Sequence, residues 1–285
     1  MNPTQELIKF GQSIWYDNIS RELIETGELK RLISEFGVRG LTSNPTIFEN
    51  AIGKSAIYDS LIAKLKKAGS NADQIFETIA VEDCGAAADI LRPIYDQSNG
   101  VDGFVSIEVS PLLARDTQGT IEEGKRLFKK LNRPNIMIKV PGTPEGIPAV
   151  KALLEEGIHV NITLLFGVEN YEEVARTFIR ALKTREQKGQ SLNVQSVASF
   201  FVSRVDSAVD KELQELIKKD SSKAEKANSL LGKFGIANSQ LAYEKFLAIF
   251  SEGDFKDLQA KGARVQRPLW ASTSTKNPAY RDVMY

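Results

Sequence analysis

A lysine stands alone in an otherwise apolar run, Ile136-Met137-Ile138-Lys139-Val140, which stops at Pro141-Gly142. The run reads as a short buried strand, with Ile136, Ile138 and Val140 on one face and Met137 and Lys139 on the other. Burial disfavours the ammonium form of a lysine and so favours the amine, the nucleophile that attacks a carbonyl to form a Schiff base. Facing water on an edge strand, the same residue would only guard against aggregation. Glu108 poses a similar question. In Phe104-Val105-Ser106-Ile107-Glu108-Val109 the apolar Val105, Ile107 and Val109 take one face and Ser106 and Glu108 the other. A glutamate turned inward on such a strand requires a partner. Asp17 shares a face with Ser13 and Trp15, Thr42 shares one with Asn44, and Asn161 and Thr163 alternate with Val160, Ile162, Leu164 and Phe166. Plainer uses exist for each: a helix cap or turn for Asp17, turn formation for Asn44 and Asn161, surface charge for Arg204 and Lys276.

These residues need strands to carry them. The pattern predicts strands near 13–18, from Gly40 to the break at Pro45, and over 103–110, 136–140, 159–166, 196–203 with Arg204 just beyond, and 268–275. Helices are expected over 4–10, 20–36 with Gly37 as a stop, two or three within 55–97, then 117–132, 144–156 and 169–187. A charged helical insertion fills about 206–262, and its lysine-rich part from Lys218 to Lys226 reads as a solvated loop. Strands alternating with helices argue for parallel βαβ units, and alternation this long suggests a (β/α)8 TIM barrel formed by residues 1–285 as a single domain. Polar residues at the carboxyl ends of barrel strands mark a catalytic rim, here Asp17, Thr42, Asn44, Glu108, Lys139, Asn161, Thr163, Ser199, Ser274 and Lys276. Only seven strands are read, so the eighth is expected to be missing, on a chain that stops short at its carboxyl end.

Composition excludes several classes. Lysine plus arginine equals aspartate plus glutamate at 37 each, so no global field favours nucleic acid or an anionic membrane. No apolar run reaches the length of a membrane span and the amino terminus lacks a leader pattern, which makes the cytoplasm the expected compartment. One cysteine and one histidine argue against a His/Cys zinc site, and no cofactor motif occurs. Cys84 reads as buried filler and His159 as structural. Monomer and homodimer are both compatible with the sequence.

Two stretches resemble the signature segments of the transaldolases: Gly40-Leu41-Thr42-Ser43-Asn44-Pro45-Thr46-Ile47-Phe48 and Ile136-Met137-Ile138-Lys139-Val140-Pro141-Gly142-Thr143-Pro144-Glu145-Gly146. The likeness runs from Trp15 to Pro278 and is greatest to the longer bacterial transaldolases of cyanobacteria and actinobacteria. It implies a class I aldolase barrel without metal or cofactor, acting on small sugar phosphates. The implied reaction moves a dihydroxyacetone unit from a ketose phosphate to an aldose phosphate in the non-oxidative pentose phosphate pathway. By the same resemblance Lys139 forms the Schiff base, Asp17 takes the proton from the leaving fragment's hydroxyl, and Glu108 serves acid–base steps through a water held with Thr163. Thr42, Asn44, Asn161 and Ser199 would bind the dihydroxyacetone hydroxyls, and Arg204, Ser274 and Lys276 the phosphate. The better-known pattern has arginine where Lys276 stands, so the charge is kept and the planar two-toothed grip is lost. Simple aldol cleavage, as in fructose 6-phosphate aldolases, and an inactive phosphosugar-binding fragment are the rival readings.

Overall fold

Branched apolar runs in this chain pair as parallel strands, and the amphipathic segments between them form the connecting helices. The computed structural model describes residues 2–285 and has an α/β fold with seven parallel strands. The chain divides into two compact units, the first comprising residues up to Leu113 with Gln118–Lys139, the second Ala114–Thr117 with Val140–Tyr285. No eighth strand occurs among the described residues.

The first unit runs α1 (Pro3–Glu6), β1 (Ile14–Tyr16), α2 (Arg21–Glu25), α3 (Glu28–Phe36), β2 (Val38–Thr42), α4 (Pro45–Lys54), α5 (Asp59–Lys67), α6 (Ala72–Gln97), β3 (Phe104–Glu108) and α7 (Thr117–Leu131) to β4 (Ile136–Pro141), whose last two residues belong to the second unit. Its strands pair in chain order, with Gly40 opposite Phe104 and Glu108 opposite Lys139. The single helix expected over 20–36 is two, because Gly27 takes a left-handed backbone (φ 80°) that no helix continues through. β1 is shorter than expected and Asp17 lies just past it. The Trp15 indole packs against Gly40, where a Cβ would stand 2.4 Å from two of its ring carbons. Close approach of the two strands therefore depends on that glycine.

A buried network ties α2 to α6. The Arg21 guanidinium donates twice to Asp83 Oδ1 at 2.9 Å, Tyr58 donates to Asp83 Oδ2 at 2.8 Å, and the Arg21 backbone N–H donates to the Tyr58 hydroxyl at 2.7 Å. Asn135 donates to both Ala88 O and Gly103 O at 2.8 Å, fixing the entry to β4 against α6 and β3. Between α6 and α7, Glu77 receives both Arg126 nitrogens and Lys130 Nζ at 2.7 Å.

The second unit contains α8 (Gly146–Glu155), β5 (Val160–Leu165), α9 (Val168–Gln187), β6 (Ser196–Phe201), α10 (Ser203–Lys219), α11 (Ala224–Asn228), α12 (Phe234–Ser251), α13 (Gly253–Ala260) and β7 (Arg267–Ala271). Strands β5, β6 and β7 pair in that order. The expected alternation in β5 holds for Val160 and Ile162 and then fails. Leu164 is left-handed (φ 62°), the register to β6 shifts between Ile162 and Leu165, and Leu165 rather than Leu164 is buried. Leu164 stays 43% exposed. The insertion after β6 begins at Ser203, three residues before the expected start, and part of the Lys218–Lys226 stretch is helical rather than loop. Two buried acids one turn apart on α10 organise it. Asp206 accepts the Gly235 N–H at 2.8 Å and the Tyr285 hydroxyl at 2.5 Å, while Asp210 accepts the Gly232 N–H at 2.9 Å and the Tyr280 hydroxyl at 2.5 Å. β7 ends four residues earlier than expected, before the left-handed Ser272 (φ 56°).

Hydrogen bonding, chiefly from Arg126, holds the Glu77 carboxyl well below its ordinary 4.5, at about 2. A carboxyl with a lowered folded-state value stabilises the fold above its unfolded value and loses that contribution as pH falls through the folded one. Urea melts should show wild type losing stability between pH 4.5 and 2 more steeply than Glu77→Gln; parallel losses would refute the role of this pair. At β5, Leu164→Asn should stabilise the fold by about 1 kcal/mol, since asparagine tolerates the left-handed region better than leucine. A lowered unfolding midpoint would mean that packing of the leucine outweighs backbone strain.

Candidate active site

The register between β3 and β4 places Glu108 and Lys139 side by side. Lys139 is 7% exposed, its Nζ lies 3.1 Å from Glu108 Oε2, and it donates to the backbone oxygen of Ser43 at 3.1 Å. The edge-strand alternative for this lysine is thus excluded. All other residues of β4 are buried as well, so Lys139 brings the only charge to an otherwise apolar strand. An amine attacks a carbonyl only after its proton has left, and the Glu108 carboxylate is the group within reach to take it. Ser43 is a participant that alternation did not single out, because its contribution is a main-chain oxygen. Its hydroxyl donates to Ser106 O at 2.8 Å, and this fixes the turn after β2 that aims the Ser43 carbonyl. The Cys84 thiol lies behind it, with Sγ 3.8 Å from the Ser43 hydroxyl, and burial pushes that thiol up to about 12. It is inert filler, as expected.

Asp17 and Thr42 meet at the carboxyl ends of β1 and β2, with the Thr42 hydroxyl donating to Asp17 Oδ1 at 2.5 Å. Asp17 is exposed and Thr42 buried, so a solvent-accessible carboxylate has its orientation set by a buried hydroxyl. Asn44 caps α4: its Oδ1 accepts the Ile47 N–H at 2.9 Å, ahead of Pro45 in the first turn. The oxygen is therefore committed to the helix, and the amide NH2 is the part left for a ligand.

In the second unit Asn161 and Ser199 are buried neighbours on β5 and β6, the serine donating to Asn161 Oδ1 at 2.7 Å. Thr163 is buried at the β5 bulge, and its backbone oxygen accepts the Gly142 N–H at 2.8 Å. Arg204 falls in the first turn of α10, exposed, with its guanidinium carbon 5.0 Å from the centre of the Phe201 ring. Ser274 and Lys276 were expected on the seventh strand and at its end; they lie in the segment after β7, both exposed, joined by a 2.7 Å hydrogen bond from Nζ to the serine hydroxyl. Ser203 and Ser272 connect that segment to the start of α10: the Ser203 N–H donates to Ser272 O at 3.0 Å, and the two hydroxyls are 2.9 Å apart. Lys276 and Ser203 also line a cavity of about 290 Å³ with Asp206, Asp210, Tyr280 and Tyr285. Burial, then the bond to Asp210, pushes the Tyr280 phenol up to about 12.

His159 is buried just before β5, where its Nδ1 accepts the Gln195 N–H at 2.9 Å, a structural use. No group of three or more His, Cys, Asp or Glu residues among those described could hold a metal ion, and no helix among them is long and apolar enough to cross a membrane.

Known proteins resemble this chain over its length. A transaldolase from Trichodesmium erythraeum is 49% identical over 287 residues, covering 100% of this chain and 76% of its own length. A transaldolase from Thiobacillus denitrificans is 43% identical over 286 residues, covering 100% of this chain and 78% of its own. One from Mycobacterium tuberculosis is 44% identical over 277 residues, covering 96% and 73%. The family model described as transaldolase/fructose-6-phosphate aldolase matches residues 14–285, a span that takes in the amine of β4, the carboxylate of β3 and the Asp17–Thr42 pair. With that match over nearly its whole length, the chain belongs to the transaldolase/fructose-6-phosphate aldolase family.

Proposed function

We propose that this chain is a cytoplasmic transaldolase that moves a dihydroxyacetone unit from fructose 6-phosphate or sedoheptulose 7-phosphate to glyceraldehyde 3-phosphate or erythrose 4-phosphate, in the non-oxidative pentose phosphate pathway. The observation that carries the reading is the Lys139 amine held 3.1 Å from the Glu108 carboxylate on a buried strand. Lys139 attacks the ketose carbonyl after giving its proton to Glu108. The same acid returns a proton to the carbinolamine oxygen, which leaves as water, and an iminium remains. Asp17 then takes the proton of the hydroxyl on the carbon beta to the iminium carbon, the first carbon of the fragment that leaves. The carbon–carbon bond breaks, its electron pair moves to the iminium nitrogen, and the aldose phosphate departs as an aldehyde. The enamine left on Lys139 attacks the aldehyde of the acceptor, and water releases the new ketose.

Thr42, the Asn44 amide, Asn161 and Ser199 hold the hydroxyls of the dihydroxyacetone part, with Thr163 assisting the acid–base steps. Arg204, Ser274 and Lys276 take the phosphate. Support for these roles comes from the likeness to the family and, for Asp17, Thr42, Asn44 and Glu108, from placement at or just beyond strand carboxyl ends. The family description names aldol cleavage beside transfer, so a second reading is release of free dihydroxyacetone.

Incubating the protein with fructose 6-phosphate, with and without erythrose 4-phosphate, distinguishes the two. Transfer predicts sedoheptulose 7-phosphate and glyceraldehyde 3-phosphate only when the acceptor is present. Free dihydroxyacetone accumulating at the same rate in either case would establish cleavage instead. Glu108→Gln should lower kcat by about 10²- to 10⁴-fold, the usual contribution of a positioned acid–base group. A variant with wild-type kcat would remove Glu108 from the mechanism.

A further inference from the structure

Arg204 makes no ion pair or hydrogen bond among the described residues, although two carboxylates follow it on the same helix. Asp206 and Asp210 are buried, and each accepts a glycine N–H and a tyrosine hydroxyl. The guanidinium lies instead over an aromatic ring. Its carbon lies 5.0 Å from the centre of Phe201, a ring 9% exposed at the last position of β6. Phe201 leans in turn on Phe166, with ring centres 5.1 Å apart and planes at 35°. Phe166 follows β5, and its backbone oxygen accepts the Asn238 side-chain amide of α12 at 2.7 Å. A guanidinium stacked on an aromatic face loses rotamer freedom while all five of its N–H donors, which lie in its own plane, stay available.

We propose that Phe201, backed by Phe166, is a positioning residue for phosphate recognition, holding Arg204 flat so that the edge of its guanidinium meets the substrate phosphate. The inference rests on the reading of Arg204 as a phosphate ligand. It gives the helical insertion a part in specificity, since Asn238 of α12 fixes the backbone that carries the supporting ring.

The test is a double-mutant cycle read as the ratio of KM for fructose 6-phosphate to KM for fructose, which lacks the phosphate. Phe201→Leu should raise that ratio roughly two- to five-fold, the scale of a cation–π contact at an accessible site. Phe201→Trp should restore it, and Phe166→Leu should move it in the same direction as Phe201→Leu. In an Arg204→Ala background Phe201→Leu should have no further effect. If Phe201→Leu changes both donors alike, or acts equally in the two backgrounds, the ring does not work through Arg204 and the proposal falls. If Arg204→Ala raises the ratio strongly and Phe201→Leu leaves it unchanged, only the positioning role is overturned. If Arg204→Ala itself leaves the ratio unchanged, the phosphate reading fails, and the proposal with it.

Discussion

Everything else in this protein follows from keeping one amine and one carboxylate together inside an apolar strand pair. Lys139 and Glu108 are opposite each other in a parallel ladder, 3.1 Å apart, with Ser43 O as the third member of the group. Removing one partner of a buried ion pair costs about 3–5 kcal/mol, because the other is left charged and unsolvated. A slip of one residue between β3 and β4 would set Lys139 against an apolar side chain. The branched residues on the opposite face of both strands oppose that slip, since it would turn the whole apolar set of one strand away from the core. Register and chemistry are thus fixed by the same alternation.

The other candidate polar residues are held partly by main-chain groups and partly by one another. Asn44 gives its oxygen to the start of α4, Asp17 is oriented by Thr42, and the Ser43 carbonyl is aimed by a serine hydroxyl bonded to β3. In the second unit Ser199 orients Asn161, and the left-handed Leu164 lets β5 bury Thr163 and Leu165 around an exposed residue. A strained backbone at such a position persists only where its surroundings over-determine it. The burial of Leu165 and the bond from Gly142 to Thr163 O are two of those constraints.

What could be read from the sequence was whatever depended on period. Glu108 on β3 and Lys139 on β4 meet, as their shared polar parity requires, and the helices over 117–132 and 169–187 agree with the structure to within a residue. The failures have local physical causes. Gly27 splits a helix between Ile24 and Leu29, and the β5 bulge exchanges Leu164 for Leu165 where strict alternation cannot register an extra residue. β7 is half-buried at every position, so its burial offers no contrast to mark where the strand ends, and Ser274 and Lys276 were placed on or beside a strand that stops at Ala271. Ser43 and the rings that support Arg204 were hidden for a different reason: a carbonyl oxygen and an aromatic face carry no signature in residue type.

The central claim is that Lys139 becomes covalently attached to the substrate, and the direct measurement is borohydride reduction in the presence of fructose 6-phosphate followed by peptide mass mapping. The account predicts a three-carbon adduct on Lys139 that is absent from Lys139→Ala. An adduct on a different lysine, with position 139 unmodified, would contradict it.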